Sequence, residues 1–233
     1  MILYSNAFNS AGERVRIALA LKNIPYDYVS IQDLGWAEYE KVNPQALLPT
    51  LKVEDDLLVQ STAILEYLEE SFPAPQLLPE DQILRAQARG FAQAIASEMH
   101  AIDTLRVRLF LGHELKVDPQ GIEHWTDHWL AKGLTALEAF LCARTHDWPY
   151  CFGSEPGWAD LFLVPALRKA VNRYNLDTTP YPLLAKVYAQ CLTHHAVIAA
   201  APEQQSDYAR AYDKIWVRCR DGSGPIATKS QVI

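Results

Sequence analysis

The sequence predicts a small α/β domain followed by a larger all-α domain, and three observations carry that prediction. Between Ile2 and Glu70, short apolar runs with strand character alternate with stretches that repeat at helical spacing. The segment FPAPQLLPED then sets three prolines close together, a linker from Phe72 to Glu80. Beyond it, helical periodicity continues without a convincing strand. The expected boundaries are 1–75 for the first domain and 82–215 for the second, with 216–233 as a poorly ordered tail.

Taken in order, Ile2–Tyr4 reads as a short buried strand, and Arg14–Lys22 carries Val15, Ala18, Leu19 and Leu21 at the spacing of one helix face. Tyr26–Ile31 is a second strand, entered through Pro25. GWAEYEKVN, from Gly35, is a short helix. PTLKV and LLVQ are two strands, and the EDD between them has the length and residue types of a tight hairpin. Ser61 precedes TAILEYLEE, whose Ile64, Leu65 and Leu68 share a face. In the second domain the helical stretches run over 83–115, 122–144, 158–174 and 181–199. Past Pro202 the chain is polar and charged, and its last dozen residues are expected to lack fixed structure.

Composition narrows the function. A chain of 233 residues with 49% hydrophobic content can bury a substantial core. Its formal net charge of −7, with Lys and Arg dispersed among the acids, argues against a nucleic-acid backbone or an anionic membrane as partner and points to small molecules or proteins. No apolar run approaches the roughly 18 residues of a membrane span, and the start lacks a basic segment followed by an apolar core, so a cytoplasmic protein is expected. Cys142, Cys151, Cys191 and Cys219 show no CxxC spacing, and adjacent His194 and His195 would point to different faces of a helix. No metal is expected.

Three places carry chemistry. Pro49 stands at the start of a strand, where it removes a ladder donor, and the Leu48–Pro49 bond is a candidate cis peptide. Gln60 lies at a strand end with Ser61 at a helix N-cap. A serine there caps its own helix, yet the same N–H groups and positive dipole end can receive a ligand carboxylate. The opening YSNAFNSAGERVRIALALK has the same build: strand, turn of small residues, helix N-terminus. It suits an ordinary capped helix or a bound anion. With Ser10 at the turn and no cysteine nearby, a thiolate held there has to come from a ligand.

The segments ILYS, RVRIALALK, NPQALLPTLKV and QSTAILEYLEE resemble the N-terminal half of the zeta-class glutathione transferases, the class that includes maleylacetoacetate and maleylpyruvate isomerases. The similarity resumes in ADLFLVPAL, RYNLD and TPYPLL and spans roughly residues 1–200 in family order. The resemblance implies glutathione transferase architecture: an α/β thioredoxin-like N-terminal domain plus an all-α C-terminal domain. It implies glutathione as the cofactor and a homodimer. It implies a cis Pro49, with Leu48 offering its backbone to the cysteinyl part of glutathione, and Gln60 and Ser61 on the γ-glutamyl carboxylate. His100 and Thr104, in HAIDTLRV, are placed beside the tripeptide. Arg173 and Arg106 are candidate ligands of a substrate carboxylate, for which a planar bidentate donor is suited. Asp160 is implied as the cap of an interior helix, with Gly157 where the family has Ser or Thr.

The sequence departs from its relatives in the turn that leads into the first helix. The zeta pattern Arg-Ser-Ser-Cys-Ser is replaced by Phe8, Asn9, Ser10, Ala11 and Gly12. Asn9 stands at the serine usually given the catalytic role, and Ser10 is the surviving hydroxyl; either could donate to the glutathione sulfur and lower its pKa. Loss of the arginine at Phe8 points to a less charged or bulkier substrate. The expected function is a glutathione-dependent cis–trans isomerase of an enedione-type small molecule. The alternatives are a transferase or reductive dehalogenase that consumes glutathione on an electrophile, and a noncatalytic glutathione-binding protein.

Overall fold

The computed structural model describes residues 1–210. The expected tail over 216–233 and Cys219 lie outside the described residues. By packing, the chain divides into two units, Met1–Leu78 together with the described chain from Gln190 onward, and Pro79–Ala189.

The first unit runs β1 (Ile2–Ser5), α1 (Ser10–Leu21), β2 (Asp27–Ser30), α2 (Ile31–Leu34), α3 (Trp36–Val42), β3 (Thr50–Val53), β4 (Asp56–Val59) and α4 (Ser61–Ser71). Its sheet has the order β2-β1-β3-β4. β1 pairs parallel to β2, across a connection that contains α1, and antiparallel to β3; β3 and β4 form the expected hairpin. Leu3 faces Tyr28 on one side and Leu51 on the other, and both leucines are fully buried. Glu54, at φ 52°, supplies the left-handed residue of the hairpin turn.

Helix α1 begins at Ser10, one turn ahead of the apolar spacing that starts at Arg14. Asn9 is its N-cap, and the small polar residues that read as a turn form its first turn instead. Its end is legible in KNIP. Asn23 takes φ 53°, the Ile24 N–H reaches the Leu19 carbonyl at 2.9 Å, and Pro25 follows. Val15, Ala18 and Leu19 are fully buried, as their spacing requires, but so are the charged Glu13, Arg14 and Arg16 on the same helix. α2 was not foreseen; Ile31, read as strand, opens it, because the Ser30 hydroxyl accepts from the Gln32 N–H and caps the turn. The linker holds a cis peptide, Ala74–Pro75.

In the second unit, α5 (Gln82–Gln93) starts where the Asp81 carboxylate accepts the N–H groups of Ile83 and Leu84. The single helix expected over 83–115 is broken. A π-helical segment, Ala94–His100, and a 3-10 turn, Ala101–Asp103, precede α6 (Leu105–His113). Tertiary contacts override the local periodicity here. Met99 is seated against Gly133, where an added Cβ would lie 2.4 Å from Met99 Cγ. Asp103 is drawn to Lys169, Tyr174 and Thr126, and Thr104 turns extended at ψ 156°. α7 (Pro119–Cys142) begins three residues before the expected Ile122, with Asp118 as N-cap and Pro119 at the first helical position. α8 (Trp158–Tyr174) matches its expected span and ends at Asn175 in the left-handed region.

The helix expected over 181–199 is also two helices, α9 (Pro182–Leu192) and α10 (His195–Ala200). His194 takes ψ 131° and its ring accepts from the Ala196 N–H, which caps a new helix and ends the old one. α10 packs on α1, in the first unit. Among the described residues no helix is long and apolar enough to cross a membrane.

Candidate functional site

Three features of the first unit make up the candidate site. The first is the loop before β3. The Leu48–Pro49 peptide is cis, as the resemblance implied. Its shape is fixed from below by a buried polar cluster. The Tyr39 hydroxyl donates to the Leu47 carbonyl at 2.7 Å, the Asn43 amide donates to the same carbonyl at 2.8 Å, and both side chains meet the Thr50 hydroxyl. Tyr39 and Thr50 are fully buried. Among the described residues the Leu48 N–H and C=O take no hydrogen-bond partner, so half-buried Leu48 offers a short strand-like edge.

The second feature is the start of α4. Ser61, expected as its N-cap, is the first helical residue; the N-cap is Gln60, which makes no side-chain capping bond. The Ser61 hydroxyl accepts instead from the buried Arg14 guanidinium of α1 at 3.1 Å. The reason is geometric. Ser61 is only 7% exposed, stands one residue past the cap position, and has its hydroxyl engaged by a side chain of α1. The first N–H groups of α4 are therefore left for a ligand, with the positive end of the dipole behind them. Gln60 takes φ 69°, ψ 117°, a left-handed backbone costly for a residue with a Cβ; strain of this kind concentrates at ligand clamps. Its side chain is exposed and donates to Gln45 at 3.0 Å. Burial pulls the Arg14 guanidinium down to about 9, against the Glu13 charge beside it, so it remains a cation at neutral pH.

The third feature is the start of α1. The Asn9 carboxamide oxygen accepts the Gly12 N–H and is thereby spent on capping its own helix. Ser10 sits at the first helical position, 9% exposed. Gly12 lets this turn lie against the end of β1, since an added Cβ would fall 2.0 Å from the Ser5 hydroxyl oxygen. Phe8 packs its ring on Tyr208, with centroids 5.3 Å apart.

His100, Thr104, Arg106 and Arg173 lie on the second unit. His100 closes the π-helical segment and Thr104 precedes α6, with its hydroxyl on the Ala101 carbonyl. Arg106 is exposed. Arg173 is half-buried, its guanidinium 5.9 Å from the Tyr174 ring centroid. The Tyr174 hydroxyl donates to Asp103 at 3.0 Å, and Arg108 and Lys169 stand over the same ring. Burial pulls Lys169 down to about 8, against the attraction of Asp103. Burial alone would raise the Asp103 carboxyl, but Lys169, Arg108 and the Tyr174 hydroxyl together hold it below its ordinary value. Asp160 is buried at the third position of α8 and accepts the N–H groups of Cys151 at 3.0 Å and Gly157 at 2.9 Å; Gly157 returns no side-chain cap.

The sequence reading missed Arg14, Arg16, Gln45 and Asp207. The one signal available for the first two was a pair of arginines interleaved with core positions in ERVRIALALK.

The family described as glutathione S-transferase, N-terminal domain, matches residues 3–76. The chain is 38% identical over 214 residues to a maleylpyruvate isomerase of Ralstonia sp, covering 90% of this chain and 100% of that protein. The holo structure of a maleylpyruvate isomerase, a bacterial zeta-class glutathione transferase, superposes with a TM-score of 0.84 at 37% identity, covering 89% of this chain and 99% of the other. A maleylacetoacetate isomerase from Anaeromyxobacter dehalogenans 2CP-1, solved with glutathione in its active site, gives a TM-score of 0.79 at 34% identity over 89% and 97% of the two chains.

Proposed function

The chain belongs to the zeta class of the glutathione transferases, and from that membership we propose that it is a glutathione-dependent cis–trans isomerase of an enedione-type small molecule. The observation that carries the reading is the joining of two helix N-termini, α1 and α4, through the Arg14–Ser61 hydrogen bond, together with the open backbone edge at Leu48. That set fits a γ-glutamyl tripeptide: an uncapped helix start for its carboxylate, a backbone edge for its peptide, and a second helix start for its sulfur.

Glutathione, when bound, supplies a thiolate that adds reversibly to an activated double bond, so that rotation can occur before the thiolate leaves. The residues of this chain bind and orient it. The Leu48 N–H and C=O pair with the cysteinyl backbone, and Gln60 and Ser61 with the first N–H groups of α4 hold the γ-glutamyl carboxylate. Pro49 adds no donor and fixes the edge. By the family resemblance alone, His100 and Thr104 are assigned to glutathione, and Arg173 and Arg106 to a substrate carboxylate. The Ser10 hydroxyl donates to the sulfur. Ser10 is preferred because it keeps the hydroxyl of the family's residue; Asn9 keeps that residue's position, and while its oxygen caps α1 its amide N–H groups, the only donors it has, make it the alternative.

Ser10→Ala is expected to raise the pKa of the bound thiol by one unit or more. A charge-assisted hydrogen bond contributes about 1.5–3 kcal/mol, and one unit corresponds to about 1.4. Ultraviolet titration of the thiolate reads this directly. An unmoved pKa in Ser10→Ala with a shift in Asn9→Ala would transfer the role to Asn9.

The reaction itself is tested by stoichiometry. With glutathione in trace amount, an isomerase converts many enedione molecules per glutathione; consumption of one glutathione per product would overturn isomerisation in favour of conjugation. That second reading is favoured by one observation, the Phe8–Tyr208 ring pair where the zeta pattern has arginine, which suits a bulkier, less charged electrophile. We take the working form to be a cytoplasmic homodimer; a monomer mass by light scattering at micromolar concentration counts against the dimer.

A further inference from the structure

We propose that Asp207, acting with Arg16, is a positioning residue for thiol activation: the C-terminal segment of the first unit holds the β1–α1 loop so that the start of α1 is preset for the sulfur. The inference rests on the glutathione reading above and concerns residues remote in sequence from that loop.

The loop from Asn6 to Asn9 has few side chains able to brace it. Ala7 carries only a methyl group, and within the loop the Asn9 N–H reaches the Asn6 carbonyl at 3.1 Å. Its shape is set from outside by two fully buried charges. Asp207 accepts the Ala7 N–H at 3.2 Å, the Ser30 hydroxyl at 2.8 Å and the Tyr28 hydroxyl at 3.1 Å, so one carboxylate ties the loop to the end of β2. Arg16, one turn and a half into α1, donates to the Asn6 carbonyl at 3.3 Å and the Ala7 carbonyl at 3.1 Å. Its Nε donates to the Ala200 carbonyl at the end of α10, at 2.9 Å. Both backbone groups of Ala7 are thus bonded to buried ionised side chains, and charge-assisted bonds in a low-dielectric surrounding are the stiffest hydrogen bonds available. Tyr208, the residue after Asp207, continues the grip by packing on Phe8.

Two residues after Ala7 comes the cap of α1, and the next residue is Ser10. A donor misplaced by about 1 Å forfeits roughly a hundredfold in rate, which makes the bracing of this loop a catalytic concern as well as a structural one. The contacts proposed for the rest of the tripeptide, at Leu48, Gln60 and Ser61, receive none of these bonds. Loosening the loop should therefore separate thiol activation from glutathione affinity.

The test uses the full chain with Asp207→Ala and, as a milder change that keeps a buried cation but cannot reach three carbonyls, Arg16→Lys. In folded protein of either variant the bound thiol pKa is expected to rise by about one unit and kcat to fall tenfold or more, while KM for glutathione stays within threefold. Asp207→Asn, which retains an acceptor for the Ala7 N–H, is expected to recover most of the loss. A lowered melting temperature with thiol pKa and kcat unchanged overturns the inference and leaves Asp207 a structural residue. Absence of glutathione binding by the unmutated chain, measured by calorimetry, overturns the site reading and this inference together. Normal binding with an unmoved thiol pKa in both variants overturns the inference alone.

Discussion

Replacing Gln60 and Ser61 together by alanine is expected to weaken glutathione binding by about 2–4 kcal/mol, a loss in affinity of roughly 30- to 700-fold. Two hydrogen bonds to a charged carboxylate account for the magnitude. The geometry adds a second consequence. The Ser61 hydroxyl is also an acceptor of the buried Arg14 guanidinium, so its removal costs the fold as well as the ligand. The single Ser61→Ala variant should lower the melting temperature of the unliganded protein, and Gln60→Ala, at an exposed side chain, should not. Isothermal calorimetry on the double variant decides the site: affinity within threefold of the unmutated protein would remove the carboxylate from the start of α4.

Asp160→Ala is expected to destabilise the second unit by about 2–5 kcal/mol. The carboxylate is 3% exposed and accepts two backbone N–H groups, from Cys151 and Gly157, each of which loses its acceptor in the variant at a cost of about 1–3 kcal/mol. The helix it stabilises is buried around its whole first half, from Trp158 to Pro165, so the N–H groups lack easy access to water as a substitute partner. With glycine at the N-cap, no other side chain of this cap shares the task. Against a total stability of about 5–15 kcal/mol typical of folded domains, the loss is large. Asp160→Asn, which keeps one good acceptor, should lose less. Thermal unfolding followed by circular dichroism reads both, and a change in Asp160→Ala below about 1 kcal/mol would show that the cap does not hold the helix.

The family's motifs were legible because each is local and each has a backbone reason. Pro49 cannot donate to a ladder, Pro25 opens a strand, and EDD between two apolar runs closes a hairpin. The α/β-then-α order follows from period alone, since strands repeat every two residues and helices every 3.6. What period could not show was where a helix yields to a distant partner. The run over 83–115 keeps its helical spacing throughout. It breaks because Asp103 finds Lys169 and Tyr174, and because Met99 finds the space above Gly133.

By itself, then, the sequence picked out the segments that the family resemblance assigns to a tripeptide and that are proposed here to meet it: Leu48 beside Pro49, Gln60 and Ser61 at a helix start, Ser10 and Asn9 at another. Only the tertiary structure decided what each of those side chains does. Ser61 faces Arg14 instead of capping α4, Asn9 spends its oxygen on Gly12, and the loop before α1 is held by Asp207 from 200 residues away. A sequence pattern reports the propensity of a segment and the face it buries. A hydrogen-bond acceptor's choice between its own helix and a buried charge depends on which groups folding has brought within about 3 Å, and at a separation of that length along the chain no local pattern encodes it.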